Sequence, residues 1–198
     1  DMLNTFMNFS KRQYIVGANK IMNKKIVLSF PGSRGSEIPL LYFAAKHYED
    51  LGYEKVFVNN PIIQDTSYEV LLNTLIENAK TIIESLNLSE YDNVVFIAKS
   101  IGTVVACKIK EIYNLNAQLI LFTPIEDTLK YIKSDNNILL VSFGTKDRII
   151  EWNIVKSLCE TENINCYIEE NVGHRMEVMN DLQRNLEIIY NIISKIKC

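Results

Sequence analysis

The sequence VVFIAKSIGTVVA at residues 94–106 decides the fold. An apolar, β-branched run ends at Ser100, and a helix-like segment follows at once. Small residues lie close to the serine on both sides, as a sharp strand-to-helix turn requires, because such a turn brings the two backbones together. A hydroxyl raised above the edge of a sheet by this turn is well placed to act as a nucleophile. The stretch therefore predicts a strand, a tight turn and a helix, with Ser100 at the turn.

Length and composition restrict the class of protein. The chain has 198 residues, enough for one well-packed domain, and 47% of them are apolar. The net charge is −3, and no basic stripe or polybasic segment indicates a nucleic acid or a membrane surface as partner. The apolar runs are strand-length, which argues against a transmembrane span. We expect a cytoplasmic protein, monomer or homodimer, with a single domain over 1–198 in which 1–23 is an extension or adds an edge strand near Tyr14–Val16.

Strand-like and helix-like segments alternate along the chain. This alternation, with continuous apolar runs for strands, predicts an α/β fold with a mostly parallel sheet of six to seven strands and helices on both faces. The predicted strands are Lys25–Phe30, Lys55–Asn59, Asn93–Ala98, Gln118–Phe122, Asn137–Phe143 and Asn165–Glu169. The predicted helices are Ile38–Leu51, Tyr68–Leu86, Ile101–Tyr113, Glu151–Glu160 and Asn180–Ile196.

Two finer predictions concern these helices. Thr66 followed by Glu69 fits a capping box at the start of the second helix. In the last helix, a stripe at helical spacing is predicted to dock, and its residues are Leu182, Leu186, Ile189 and Ile193.

The chain contains two histidines that could activate a serine. His47 lies at helical spacing from Phe43 and Leu51, which predicts a partly buried structural histidine on the packed side of a helix. His174 lies in a loop after the last strand, at the edge of the sheet where a base would meet Ser100. A surface-loop histidine is the alternative interpretation. We choose His174 as the candidate base.

The base in turn needs a carboxylate to orient it. Asp147 follows a buried strand and Gly144, which lets the chain turn, and it is the candidate acid. Asp127, or its neighbour Glu126, follows the preceding strand in the same way and is the alternative. Either carboxylate could instead cap a helix.

A tetrahedral oxyanion needs backbone N–H donors. The amide of Ile101, at the start of the helix after Ser100, is one candidate. The loop PGSRGS at residues 31–36 supplies the other, and the amide of Ser33 is the candidate donor. Arg34 is a candidate contact for an anionic substrate group, with a solvated loop arginine as the alternative. No metal or organic cofactor is needed for this chemistry.

Together these motifs resemble the α/β-hydrolase superfamily over the chain from about Lys24 to the end. The segment AKSIG at 98–102 resembles the G-x-S-x-G elbow with alanine at the first glycine, and the order serine, aspartate, histidine is the one that the family uses. Pro31 stands where many members have histidine. The connection Pro124–Asn137 is short where many relatives insert a lid. The resemblance implies a serine hydrolase, most simply a carboxylesterase or thioesterase. The short connection implies a compact, lidless core with an open site that serves small acyl esters or a larger, flexible acylated partner.

Two other classes remain open from the sequence. The first is a catalytically inactive α/β-hydrolase-fold protein that serves as a binding or interaction module, with its triad mispositioned. The second is a doubly wound protein that binds phosphate through the glycine-rich loop, although no P-loop lysine follows the glycines.

Overall fold

A computed structural model describes residues 23–33, 35, 38–61, 63 and 65–196. These residues contain one six-stranded sheet in the order β2-β1-β3-β4-β5-β6, and every pairing is parallel. The strands are β1 (Lys25–Phe30), β2 (Glu54–Phe57), β3 (Asn93–Lys99), β4 (Ala117–Phe122), β5 (Ile138–Gly144) and β6 (Cys166–Glu169). The fold class and the six predicted strands are confirmed. The additional strand near Tyr14–Val16 lies outside the described residues, and the single domain over 1–198 stays a prediction.

Within the described residues, five α-helices cover the two faces of the sheet. They are α1 (Pro39–Asp50), α2 (Tyr68–Ser85), α3 (Ile101–Ile112), α4 (Trp152–Thr161) and α5 (Leu182–Ile193). One apolar cluster joins α2, α3 and α4 to one face, and a second joins α1 and α5 to the other. Within the residues described, none of the helices is both long and apolar enough to cross a membrane.

Strand β3 lies between β1 and β4 and is buried from Val94 to its last residue. Its side chains alternate between the two clusters, with Phe96 packed toward one face and Ile97 toward the other, and both are fully buried. Because both faces of this strand are covered by helices, its sequence is a continuous apolar run rather than an alternating one. The strand therefore fixes the turn that follows it at the carboxyl edge of the sheet, between β1 and β4.

The capping box predicted at Thr66 and Glu69 is wrong, because the helix cap lies one residue further on. Ser67, not Thr66, caps α2, and its hydroxyl accepts a hydrogen bond from the amide of Val70. The docking stripe predicted for α5 is wrong at Leu182 and Leu186, which are 74% and 51% exposed. Its other two members, Ile189 and Ile193, are partly buried and pack against the second cluster. This helix carries two apolar rows at helical spacing, and the row of Ile188 and Ile192 is the one that the sheet buries. Spacing alone does not distinguish the two rows.

An ion pair fastens the last strand to the last helix. The carboxylate of Glu169, at the end of β6, is buried and accepts a hydrogen bond from the guanidinium of Arg184 in α5. Tyr167 donates its hydroxyl to the same carboxylate at 2.5 Å. The segment between β6 and α5 is therefore anchored at both ends, and it carries His174.

Candidate active site

Ser100 occupies the predicted turn. Strand β3 ends at Lys99, α3 begins at Ile101, and the serine between them has φ 56° and ψ −130°. An L-residue adopts this positive φ at an energetic cost, and such strain is found at functional sites more often than elsewhere. The amide of Ser100 still donates to the carbonyl of Phe122 on β4 at 3.0 Å. The turn is thus tied to the sheet while its side chain is turned away from the strand.

Gly102 is required by the close approach of α3 to the loop after β1. A Cβ built at this position would lie 2.3 Å from the carbonyl oxygen of Phe30 and 2.5 Å from that of Pro31. Both neighbours are backbone atoms, so no side-chain rotation relieves the overlap.

We expect Gly102→Ala to reduce the free energy of unfolding by about 3 kcal/mol, because overpacking against fixed backbone is strongly destabilising. Urea denaturation followed by circular dichroism measures this loss. Gly173→Ala is the matched control, since its new Cβ would meet only the carbonyl oxygen of Lys146, at an ordinary 3.4 Å. Equal unfolding midpoints for the two variants would contradict the packing account.

The structure brings Ser100, His174 and Asp147 into one hydrogen-bonded chain. Nε2 of His174 lies 2.8 Å from Oγ of Ser100, and Nδ1 lies 2.7 Å from Oδ2 of Asp147. The Asp147 side chain is 1% exposed, and its second oxygen accepts the amide of Ile149 at 2.8 Å. Both carboxylate oxygens are therefore held in place, and the imidazole lies between the carboxylate and the hydroxyl. A base oriented by a buried acid is what a serine nucleophile needs.

The other candidates for the acid and the base lie elsewhere. Asp127 is exposed and accepts the hydroxyl of Tyr68 at 2.6 Å, so it is engaged with α2 and not with His174. His47 is partly buried in α1, beside the ring of Tyr48. Its predicted place on the packed side is wrong, because Phe43, one turn before it, is 42% exposed. The packed side of this helix includes Leu41, Ala44, Ala45 and Tyr48.

Backbone hydrogen bonds join the loop of the acid to the loop of the base. The amide of Lys146 donates to the carbonyl of Val172 at 2.9 Å. Gly144 permits this approach, since a Cβ there would lie 2.1 Å from the Val172 oxygen. The 2.7 Å contact between His174 and Asp147 is thus supported by main-chain bonding between the segments that immediately precede the two residues.

The glycine-rich loop after β1 lies directly against Ser100. A Cβ built at Gly32 would be 3.1 Å from Cβ of Ser100. Asn60, beyond the end of β2, donates its side-chain amide to the carbonyls of Pro31 and Gly32, each at 3.2 Å. Sequence reasoning missed this support for the loop, although an asparagine after a strand next to β1 was a usable signal. Arg34 lies outside the described residues.

Lys99 is the second residue that sequence reasoning missed. Its side chain is buried, and Nζ donates to Oγ1 of Thr123 at 2.8 Å and to the backbone carbonyl of His174 at 2.7 Å. Burial lowers the pKa of Lys99 to about 8, while the carboxylates of Asp147 and Glu177 act in the opposite direction. A lysine placed between a buried apolar run and Ser100 was the signal that could have identified it.

A cavity of about 240 Å³ opens onto the hydroxyl of Ser100. It is lined by Gly32, Ser33, Ile38, Pro39, Lys99, Ser100, His174, Arg175 and Glu177. The volume is below the usual range for drug-sized ligands and suits a small group. Between β4 and β5, the segment Pro124–Asn137 forms only two short 3-10 helices, Glu126–Tyr131 and Ser134–Asn136. No lid domain is inserted at that connection.

Solved structures with the same fold are known, although the sequence matches no family model and no curated protein. An α/β serine hydrolase homologue from Coxiella burnetii is 15% identical, with a TM-score of 0.66 over 88% of this chain and 86% of that one. XC6422 from Xanthomonas campestris, described as an α/β serine hydrolase without a lid, is 14% identical, with a TM-score of 0.61 over 87% and 81%. The ydeN gene product of B. subtilis is 18% identical, with a TM-score of 0.59 over 86% and 97%.

The protein therefore has the α/β-hydrolase fold. The resemblance drawn from the elbow, the acid and the base is confirmed at the level of the fold. At 14–18% identity, these likenesses concern the fold.

Proposed function

We propose that the protein is a serine hydrolase that cleaves a small carboxylic ester or thioester through an acyl-enzyme on Ser100. The observation that carries the proposal is the unbroken chain of contacts from Asp147 through His174 to Oγ of Ser100, at 2.7 and 2.8 Å. This chain of contacts lies at the mouth of a small cavity. The fold is one on which serine hydrolysis recurs.

The first half of the reaction forms the acyl-enzyme. Oγ of Ser100 attacks the acyl carbonyl carbon while Nε2 of His174 takes the hydroxyl proton. Asp147 accepts the Nδ1 proton of the imidazole in a hydrogen bond, which holds the required tautomer and stabilises the imidazolium that forms. The tetrahedral intermediate then collapses, and His174 gives its proton to the departing alcohol or thiol.

The second half repeats these roles with water. His174 takes a proton from a water molecule as it attacks the acyl carbon, and Oγ of Ser100 leaves and regains its proton. The products are the free acid and the unmodified enzyme. The two half-reactions balance in atoms and protons without an oxidant, a metal or an organic cofactor.

The amides of Ser33 and Ile101 are the proposed donors to the oxyanion. Ile101 is the first residue of α3, where backbone N–H groups have no partner within the helix. Ser33 lines the same cavity as Ser100 and follows Gly32, which lies against the nucleophile. Pre-placed donors of this kind stabilise an acyl-transfer transition state by about 3 kcal/mol each.

The short distance between His174 and Ser100 favours this proposal over an inactive binding module, which we expected to hold the hydroxyl out of reach of the base. The position of Gly32 also argues against a phosphate loop, because the loop faces the nucleophile. Small acyl groups are favoured as substrates by the cavity of about 240 Å³. The proposed leaving group is an alcohol or a thiol.

Labelling with a fluorophosphonate probe tests the proposal. We expect the wild-type protein to be labelled and Ser100→Ala not to be, because the probe phosphonylates an activated serine. Ser157→Ala, an exposed serine on α4, is the matched control and should label like the wild type. Equal labelling of the wild type and Ser100→Ala, or labelling of neither, would refute the assignment.

A further inference from the structure

One buried ammonium joins the carboxyl ends of three strands. Lys99 is the last residue of β3, Thr123 directly follows β4, and His174 lies in the loop after β6. Nζ of Lys99 reaches both of the other residues, at 2.8 Å to the threonine hydroxyl and 2.7 Å to the histidine carbonyl. Lys99, which directly precedes Ser100, thus contacts the main chain of His174, the candidate base.

Burial of the Lys99 ammonium and the backbone strain at Thr123 are both energetically unfavourable, which indicates a functional role for the contact. The lysine is 3% exposed, and no carboxylate among the described residues lies within ion-pair distance of Nζ. An unpaired charge is rarely buried unless hydrogen bonds hold it. Thr123 is also buried and has φ 44°, a conformation that β-branched residues strongly disfavour. Strain of this kind persists where the surrounding structure requires it, and it concentrates at functional sites.

We propose that Lys99 is a positioning residue for the reaction at Ser100: its ammonium holds the main chain of His174 so that the imidazole stays within reach of the serine hydroxyl. The inference rests on the proposed hydrolysis. It assigns a role to the residue between Ala98 and Ser100 that neither the triad nor the oxyanion donors fill.

The protonation state of Lys99 then controls how firmly the base is held. A charged ammonium makes stronger hydrogen bonds than a neutral amine. The pKa of about 8 places its loss of charge just above neutrality, so activity should fall as the pH rises through this value. The charged and titratable groups around it in the described residues are Asp147 from the loop after β5, and His174, Arg175 and Glu177 from the loop after β6.

Lys99→Met tests the role with a side chain of similar length and no charge. We expect kcat for p-nitrophenyl acetate to fall roughly 100-fold, since a displaced catalytic group costs about this much. KM should change far less, and the alkaline decrease in kcat near pH 8 should disappear. Lys110→Met is the matched control, because Lys110 also donates to a backbone carbonyl, that of Asn136 at 2.6 Å, away from the triad. Its kcat and pH profile should match the wild type.

Thr123→Val provides a second variant that keeps the lysine. Removing one acceptor destabilises the charged ammonium, so the alkaline decrease in kcat should move to lower pH. A wild-type kcat and alkaline limb in Lys99→Met, or an unmoved limb in Thr123→Val, would overturn the proposal. Because the wild type would still be labelled at Ser100 in that case, failure of this inference is distinguishable from failure of the proposed hydrolysis.

Discussion

Replacement of His174 by glutamine is expected to reduce kcat by about a million-fold, because the members of such a triad act as a unit and the loss of the base removes nearly all of its effect. A glutamine amide fits the space near Ser100 but cannot accept the hydroxyl proton. Steady-state hydrolysis of p-nitrophenyl acetate, with active-site titration of the wild type, measures the loss.

His47→Gln is the matched control for this experiment. It removes the other histidine of the chain, which lies in α1 and outside the cavity at Ser100. Its activity should equal that of the wild type. The double variant Ser100→Ala with His174→Gln should lose no more activity than either single change, since the two residues contribute to one step. Independent, multiplying losses would contradict a shared role.

Asp147→Asn is expected to reduce kcat by about ten-thousand-fold with little change in fold. Asparagine has the same shape, but its amide can present an N–H group to Nδ1 of His174. That contact favours the tautomer whose proton is on Nε2, and this nitrogen can then no longer accept the serine proton. The loss should therefore appear in kcat and in the rate of fluorophosphonate labelling, while thermal unfolding changes little.

Asp127→Asn is the control that separates the two candidate acids. Asp127 accepts the hydroxyl of Tyr68 and lies on the surface, so the change should leave kcat within a factor of about two of the wild type. A larger loss in Asp127→Asn than in Asp147→Asn would show that the acid has been assigned to the wrong residue.

The sheet was predictable because its strands are short apolar runs with clear ends. Strand β1 begins at Lys25 and ends before Pro31 in the sequence and in the structure alike. The buried face of α5 was not predictable in the same way. Leu186 and Ile188 are both apolar and both at helical spacing within their rows, and only the packing of the helix on the sheet decides which one is buried.

The candidate site, like the fold, was predictable only in part. Ser100 and His174 were identifiable because each follows a strand and parallel strands end at one edge of the sheet. That reasoning could not separate Asp147 from Asp127, because both follow a strand. The two carboxylates differ in their partners in the folded chain, which are His174 for Asp147 and the hydroxyl of Tyr68 for Asp127.

The partners of the supporting contacts could not be read from the sequence, although the two donor side chains themselves could be noticed in it. Lys99 and Asn60 both donate to backbone carbonyls, of His174 and of the loop at Pro31 and Gly32. Every residue carries a carbonyl, so the sequence gives no indication of which one a distant donor will choose. Only the folded chain identifies these partners.

The separation of the triad along the chain has a consequence for biosynthesis. Asp147 and His174 are 27 residues apart, and Ser100 and His174 are 74 apart. The anchor of the histidine loop, Arg184, lies further on, in the last described helix. A growing chain on the ribosome therefore completes the turn at Ser100 long before His174 is made. If the proposed hydrolysis is correct, nearly the whole described sequence must emerge before the candidate triad can form.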